Sequence, residues 1–169
     1  MNPTEPRLIK VQPHTDSRGC FHEVYHQERY RDLGIEGPFV QDNFSRSCKD
    51  VLRGLHFQEP AQGKLVQVLF GTIWDVVVDL RPGALFKLWT AFELDNTRQL
   101  WVPPGFAHGF CVLSESADVF YKCTEVYTPG GEHAIAWDDP ELKIPWPVKN
   151  PVLSEKDRNA ASFYSAIKP

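Results

Sequence analysis

The 169-residue chain lacks the sequence features of several large protein classes. It has no apolar run long enough to span a bilayer, and its first residues, MNPTEPRLIK, contain no apolar signal segment. The four cysteines show neither metal-ligand spacing nor redox-pair spacing; they are Cys20, Cys48, Cys111 and Cys123. These absences predict a cytoplasmic protein with reduced thiols and no membrane partner.

An excess of positive charge is also missing. Lys and Arg total 18 against 22 Asp and Glu, which gives a formal net charge of -4 and argues against a nucleic-acid partner. A local anion site remains compatible with this charge, because a few focused Arg and Lys side chains hold phosphate on an acidic protein. The 42% hydrophobic content predicts one globular domain over residues 1–169.

Short β-rich segments separated by turn residues dominate the chain. The stretch KLVQVLFGTIWDVVVDL, interrupted by Gly71, predicts a hairpin from Lys64 to Leu80. Further strands are predicted at 88–94, 98–103, 109–113 and 118–127. QERYRDLG predicts a helix ending at Gly34, and DDPELKI predicts one helical turn. Many short strands with frequent turns indicate a β-sandwich or barrel.

Polar side chains interrupt the apolar stretch VLRGLHFQEP at residues 51–60. On a regular strand His56 and Gln58 share one face and Arg53 points the other way. A bulge at Gly54 would bring Arg53 to the face of His56. We therefore predict such a bulge, and an unbroken ladder through Gly54 would contradict it.

Other strands carry polar residues as well. Lys64, Asp75 and Asp79 lie in or beside apolar strands, Tyr121 and Tyr127 share a parity on one predicted strand, and His108 follows VPPGFA. Taken singly, each has an ordinary structural interpretation: His56 and Tyr121 as hydrogen-bonded core residues, Lys64 as a solvated strand end, and Asp75 as an outward-facing residue. Their occurrence together on consecutive core strands indicates a ligand site at the mouth of a barrel.

Two segments resemble the two cupin motifs. His56-x-Gln58, Lys64 and Gly71 follow the first motif, with Gln and Lys in place of its second His and its Glu, and Pro103, Gly105 and His108 match the second. The resemblance implies an all-β cupin fold, a double-stranded β-helix or jelly roll, with short peripheral helices. A lysine ammonium repels a cation where a cupin places a carboxylate ligand, so we expect no metal.

The whole chain resembles the dTDP-4-dehydrorhamnose 3,5-epimerase family of cupin-fold deoxysugar epimerases. Nine blocks match its signature in order between about Asp16 and Asp157: DSRGCFHE, FVQDNFSRS, LRGLHFQ, QGKLVQV, GTIWDVVVDLR, RQLWVPPGFAHGF, YKCTEVYTP, IAWDDPELKIPWP and LSEKD. The resemblance implies a cofactor-independent isomerase that acts on a nucleotide-linked 4-keto-6-deoxyhexose, most simply dTDP-4-dehydro-6-deoxy-D-glucose, and that works as a homodimer.

The resemblance also assigns roles to residues. It implies His56 as the base, Asp157 as its orienting partner, Tyr121 as the opposing acid and Lys64 as the stabiliser of an enolate oxygen. Asp75 and His108 would support Lys64 and the pocket. The nucleotide and its phosphates would be held by a set that includes an N-terminal block reaching across a dimer interface, namely Arg18, Phe21, Glu23, Gln41, Asn43, Arg53, Tyr127 and Lys156. An ordinary solvated surface position is a nearly equal alternative for Arg18 and Lys156.

Several alternatives stay open on the sequence alone. The chain could epimerise carbon 3 only, could move a keto group as a ketoisomerase, or could be a binding-only cupin or a metal-dependent cupin enzyme. Gln58 and Lys64 argue against the metal enzyme, and the presence of both His56 and Asp157 argues against simple binding. Many family members carry two adjacent tyrosines where this chain has Val126-Tyr127, which leaves the nucleotide base open.

Overall fold

The computed structural model describes residues 4–35 and 37–167. Of the predicted domain, residues 1–3, 36, 168 and 169 lie outside the described part. Besides one 3-10 turn at Pro129–Gly131, the described chain contains twelve strands and three short α-helices. They are β1 (Arg7–Lys10), β2 (His14–Asp16), β3 (Gly19–Phe21), α1 (Gln27–Asp32), β4 (Gln41–Cys48), β5 (Leu52–Gln58), β6 (Lys64–Phe70), β7 (Ile73–Asp79), β8 (Trp89–Leu94), β9 (Arg98–Val102), β10 (Phe106–Val112), β11 (Ser116–Cys123), β12 (Glu132–Ala134), α2 (Glu155–Arg158) and α3 (Phe163–Ala166).

Ten of the strands form two five-stranded antiparallel sheets. Sheet I has the order β1-β9-β6-β11-β4, and sheet II has the order β12-β5-β10-β7-β8. Strands β2 and β3 form a separate two-stranded arm. From β4 to β11 successive strands alternate between the two sheets in a jelly-roll arrangement, except for β7 and β8, which are neighbours in sheet II. The predicted all-β cupin fold with short peripheral helices is confirmed.

The predicted Lys64–Leu80 hairpin is wrong. Strand β6 pairs with β9 and β11 in sheet I, whereas β7 pairs with β8 and β10 in sheet II. Gly71 lies between them with φ +82°, and a Cβ there would come within 2.1 Å of the Ser116 carbonyl oxygen. A glycine turn between two β-rich segments has the same local pattern in a hairpin and in a crossing between sheets, so the sequence did not separate the two.

The other boundaries agree with the sequence in part. Helix α1 is confirmed, with Gly34 just beyond its end at φ +80°. Strand β11 stops at Cys123, so the predicted strand to Tyr127 is too long and Tyr127 shares no strand with Tyr121. The predicted helical turn in DDPELKI is a set of hydrogen-bonded turns on the carbonyl oxygen of Asp139. No described helix has the length and apolar character needed to cross a bilayer.

Alternation along the strands divides the apolar residues between three layers. The largest cluster fills the space between the sheets, with Val66 of β6, Val77 of β7 and Phe110 of β10 among its members. The outer face of sheet II is covered by the C-terminal segment through Phe163, and the outer face of sheet I packs against Tyr30 of α1. The space between the two sheets is therefore closed to water wherever the side chains that face it are apolar.

Candidate active site

A bulge in β5 places two of the polar residues on one wall. His56 pairs with His108 while Arg53 pairs with Phe110, so β5 advances three residues where β10 advances two. Gly54 has φ +118°, and a Cβ on it would approach the Gly109 Cα to 2.6 Å. Glycine is required for this close approach. The predicted bulge is confirmed, and Arg53 and His56 line the same cavity.

Two adjoining cavities open between the sheets. The first, of about 490 Å³, is lined by Arg53, His56, Lys64, His108, Tyr121 and Asp157, with others. The second, of about 400 Å³, is lined by Gln41, Asn43, Gln58, Tyr127 and Lys156, with others. Four residues border both cavities: His56, Lys64, Tyr121 and Glu132. These four mark the place where the two cavities meet.

His56 and Asp157 form a hydrogen-bonded pair across 101 residues of sequence. His56 Nε2 lies 2.5 Å from Asp157 Oδ1, and Ser154 Oγ donates to Asp157 Oδ2 at 2.8 Å. Burial alone would raise the pKa of the Asp157 carboxyl, but hydrogen bonds from His56, Ser154 and the Gly54 amide outweigh it and lower that pKa. Asp157 is thus held as an anion beneath a ring whose side chain is 27% exposed.

A second pair lies beside the first. His108 Nε2 is 2.8 Å from Asp75 Oδ2, and Asp75 is completely buried. The interpretation of Asp75 as an outward-facing residue is therefore wrong, because it shares the inward parity of Ile73 and Val77 on β7. Burial raises the pKa of Asp75, and the charges of His108 and Lys64 oppose the shift only in part.

Lys64 begins β6 on the inner face of sheet I. Burial lowers the pKa of its ammonium, while Cys123, Glu132 and Asp75 oppose the shift. Within the described residues its Nζ makes no ion pair, so its amine can meet a ligand that enters either cavity. A fixed cation in such a space is suited to an oxygen that becomes negatively charged.

Tyr121 stands on the wall opposite His56. His56 belongs to β5 of sheet II and Tyr121 to β11 of sheet I, yet both line the two cavities. Burial raises the pKa of the Tyr121 hydroxyl, with the nearby Arg53 opposing the shift. A proton donor and a proton acceptor thus lie on opposite sides of one space.

Polar side chains surround the far end of the second cavity. Gln41 Nε2 donates to Asn43 Oδ1 at 3.0 Å, and the Tyr127 hydroxyl donates to Glu132 at 2.7 Å. Lys156 forms an ion pair with Glu132. Tyr127 lines this cavity and Val126 does not, so of these two adjacent residues Tyr127 is the one placed to contact a ligand here.

Glu132 was missed by the sequence reasoning. Burial by itself would raise the pKa of its carboxyl, but hydrogen bonds from Lys156 and Tyr127 lower that pKa overall. It lies in the three-residue strand β12, paired with Gln58 and preceded by Pro-Gly-Gly. Its surroundings in sequence read as a surface turn, and no local pattern signals that β12 closes one side of the cavity.

The N-terminal block does not reach these cavities in the single chain. Arg18 pairs with Asp16 on the exposed arm, Glu23 pairs with Arg29, and the Phe21 residue is 74% exposed. Arg53, by contrast, donates from Nε to Ser47 Oγ at 3.0 Å and lines the first cavity. The structure therefore assembles the predicted set of residues except for Arg18, Phe21 and Glu23.

The donor set does not suit a divalent metal. Gln58, at the position of a cupin histidine, directs its amide to backbone groups of Pro60, Val126 and Thr128. Lys64 stands where a cupin has a carboxylate. Over residues 4–35 and 37–167, no group of three or more His, Cys, Asp or Glu is arranged to hold a metal ion.

Comparison with known proteins identifies the family. The family model described as dTDP-4-dehydrorhamnose 3,5-epimerase matches residues 4–165. An enzyme of that name from Pseudomonas aeruginosa is 49% identical over 95% of this chain and 93% of its own length.

Solved structures agree with the family model. A dTDP-6-deoxy-D-glucose-3,5-epimerase from Legionella pneumophila, in complex with dTDP-4-keto-L-rhamnose, has a TM-score of 0.90 and 46% identity over 99% of this chain and 93% of its own. A dTDP-4-dehydrorhamnose 3,5-epimerase from Bacillus anthracis, with TDP and PPi bound, has a TM-score of 0.89 and 46% identity over 94% of both chains. The chain belongs to the dTDP-4-dehydrorhamnose 3,5-epimerase family, whose members are isomerases.

Proposed function

We propose that the protein converts dTDP-4-dehydro-6-deoxy-D-glucose into dTDP-4-dehydro-L-rhamnose. The ketone at carbon 4 acidifies the protons on carbons 3 and 5, so removing one gives an enolate, and returning a proton to the other face inverts the centre. The observation that carries the proposal is the position of His56 and Tyr121 on opposite sheets around one cavity, with Lys64 beside them. Inversion needs a base and an acid on opposite faces of the sugar.

His56 is the base in this proposal, and Asp157 orients it. An imidazole titrates near neutral pH and both gains and loses protons readily. The 2.5 Å contact between His56 Nε2 and Asp157 Oδ1 fixes the ring and stabilises its cation after proton transfer. The low pKa of the Asp157 carboxyl supports this role, because the carboxylate stays charged throughout the reaction.

Lys64 stabilises the enolate oxygen, and Tyr121 supplies the proton from the other side. The Lys64 ammonium acts where negative charge develops. Asp75 and His108 support Lys64 as a hydrogen-bonded pair, and the Asp75 carboxyl opposes the lowering of the Lys64 pKa by burial. The raised pKa of Tyr121 keeps its hydroxyl protonated at neutral pH, as an acid requires.

The second cavity takes the nucleotide diphosphate. Lys156 supplies a cationic group for phosphate oxygens, Gln41 and Asn43 supply amides, and the Tyr127 ring supplies an aromatic surface for the base. Arg53 supplies a second cation from the adjoining first cavity. The relatives crystallised with TDP and with dTDP-4-keto-L-rhamnose support a thymidine nucleotide. The reaction requires proton transfers only, so no cofactor is part of the proposal.

The protein acts as a homodimer in which the arm of one protomer completes the site of the other. The exposure of Phe21 on the arm supports this, as does the exposure of Phe44 and Phe70 on the outer face of sheet I. Arg18, Phe21 and Glu23 would then reach the partner's nucleotide. Sedimentation equilibrium tests the state: a monomer at micromolar concentration would contradict it.

A matched experiment tests the exchange of the arm. Arg18→Ala and His56→Asn proteins, each impaired alone, should regain activity when mixed and allowed to exchange subunits, because one of the two sites then receives both intact residues. Activity equal to the sum of the separate proteins would place Arg18 in the site of its own chain or outside the site altogether.

The cytoplasmic location is also a proposal. All four cysteines lie in the described part of the chain and are free thiols, two of them exposed, which fits a reducing compartment. Cell fractionation with an antibody to the native protein tests it: recovery in a membrane or extracellular fraction would contradict the proposal.

The test of the reaction is proton NMR of dTDP-4-keto-6-deoxyglucose in deuterium oxide with chelator-treated protein. We expect the signals of the protons on carbons 3 and 5 to disappear as deuterium replaces them, and the L-rhamno product to appear. Exchange at carbon 3 alone would make the protein a 3-epimerase, and a product with the keto group moved would make it a ketoisomerase. Nucleotide-sugar binding without exchange would leave a binding protein.

A further inference from the structure

The segment Glu125–Thr128, which carries Tyr127, has its backbone held by glutamine side chains. It follows β11, belongs to no strand, and so lacks a ladder partner for its polar groups. Gln62 Nε2 donates to the Glu125 carbonyl at 2.6 Å, and Gln41 Oε1 accepts from the Tyr127 amide at 2.7 Å.

Gln58 makes more of these contacts than either of the other two glutamines. Its Nε2 donates to the Val126 carbonyl at 3.0 Å and to the Pro60 carbonyl at 3.2 Å, and its Oε1 accepts from the Thr128 amide at 3.4 Å. Gln58 is 6% exposed, so these bonds are shielded from water. It therefore spans Tyr127, with one contact on the residue before it and one on the residue after it.

Only an amide side chain satisfies these three partners at once. The glutamine amide offers two donor hydrogens and an acceptor oxygen. A neutral histidine at this position would offer one donor and one acceptor, and a carboxylate would offer acceptors alone. The residue that replaces a cupin histidine is therefore fitted to bind backbone and not a cation.

We propose that Gln58 is a positioning residue that holds Tyr127 at the nucleotide end of the second cavity. The Tyr127 hydroxyl is tied separately to Glu132, so the ring is fixed at its tip and its backbone is fixed from both sides. A surface prepared in this way loses little conformational freedom when a base packs against it. The inference rests on the proposed function, since it takes this end of the cavity as the nucleoside site.

The test uses two probes that separate the nucleoside from the phosphates. Binding of dTDP and of inorganic pyrophosphate is measured by calorimetry on the full-length dimer. In Gln58→Ala the affinity for dTDP should fall about tenfold, as expected for lost buried hydrogen bonds, while the affinity for pyrophosphate stays within about twofold. A general loss of structure would weaken both probes.

Two further variants keep the test decisive. Gln58→Met has a similar length and no charge but cannot hydrogen-bond the Val126 and Pro60 carbonyls, so it should repeat the effect even if the alanine variant folds poorly. Trp89→Phe removes a 2.9 Å bond from Trp89 Nε1 to the Leu142 carbonyl, a side-chain-to-loop contact outside both cavities, and should change neither affinity.

A double-mutant cycle tests whether Gln58 affects dTDP binding through Tyr127. If Gln58 acts through Tyr127, Gln58→Ala should cost no further dTDP affinity in a Tyr127→Ala background. Additive losses, equal weakening of both probes, or unchanged dTDP binding would overturn the inference. Wild-type protein that fails to bind dTDP would overturn it too. Wild-type protein that binds dTDP and shows the Gln58 effect but exchanges no sugar protons would retain the inference and reject only the proposed reaction.

Discussion

The two His–Asp pairs use the same atoms in different surroundings. His56 Nε2 meets Asp157 at 2.5 Å and His108 Nε2 meets Asp75 at 2.8 Å, and the two histidines face each other on β5 and β10. The His56 side chain is 27% exposed, whereas that of His108 is 9% exposed. A ligand can therefore reach His56 more easily than His108, although the two His–Asp hydrogen bonds have similar geometry.

The carboxylates differ more than the imidazoles. Asp157 receives further hydrogen bonds from Ser154 Oγ and the Gly54 amide, and its pKa lies below the usual range. Asp75 is buried, its Oδ1 has no hydrogen-bond partner among the described residues, and its pKa lies above the usual range. One pair keeps an anion under an accessible imidazole, and the other is a closed unit next to Lys64.

Replacing the two histidines is the strongest way to break this comparison. His56→Asn should lower kcat about 1,000-fold, within the range for loss of a general base, while His108→Asn should lower it about tenfold. Steady-state rates with dTDP-4-keto-6-deoxyglucose measure both, and near-ultraviolet circular dichroism checks folding. Equal losses in the two folded variants would mean that exposure does not distinguish the two pairs.

Tyr121→Phe separates proton removal from proton return. The substitution deletes one hydroxyl from the wall opposite His56, so net inversion should fall about 100-fold. Exchange of solvent deuterium into the substrate should persist, because His56 and Asp157 remain. Proton NMR follows both processes in one sample. If inversion continued at the wild-type rate, the acid would have to be another group.

Replacing the two aspartates should lower kcat in the same order as replacing the two histidines, with smaller losses. Asp157→Asn removes one charge-assisted hydrogen bond to the base and should lower kcat about 10- to 100-fold. Asp75→Asn leaves His56 untouched and should cost less than about tenfold, as a change in support for Lys64. The control is the KM for the substrate, which should stay close to wild type in Asp157→Asn. A larger kcat loss in Asp75→Asn would reverse the assignment of the two pairs.

The sequence predicted which polar side chains line this site better than it predicted the long-range contacts between them. The bulge at Gly54 followed from a glycine between two polar residues on an apolar strand, because a local irregularity is written in local residues. The partner of His56 came only from the family resemblance, since no local rule links residue 56 to Asp157. Glu132 was missed because Pro-Gly-Gly and the three residues that follow it have the composition of a turn.

Strand pairing was likewise not predictable from local sequence. Gly71 was recognised as a break between β6 and β7, yet the two strands belong to different sheets. The alternation of apolar and polar residues along a strand indicates which side chains face inward, but it does not indicate which strand is the neighbour in the sheet. The inward parity of Lys64 beside Val66 was therefore readable in principle, whereas the closure of the cavity by β12 depends on long-range pairing with β5.

The pH dependence of stability should show the smallest difference, with opposite signs for the two carboxylates. A folded pKa below the unfolded value stabilises the fold above the unfolded pKa, and this stability is lost as pH falls through the folded value. Asp157 is such a group. Asp75 has a raised pKa despite the opposing charges of His108 and Lys64, so its ionisation destabilises the fold as pH rises.

Asparagine variants test these signs. Relative to wild type, Asp157→Asn should lose unfolding free energy at neutral pH and much less at about pH 2, well below the ordinary carboxyl pKa, whereas Asp75→Asn should gain unfolding free energy at neutral pH. Urea unfolding at the two pH values measures both. If both variants changed with pH in the same direction, the two pairs would share one electrostatic environment, and the distinction between an open and a closed pair would rest on exposure alone.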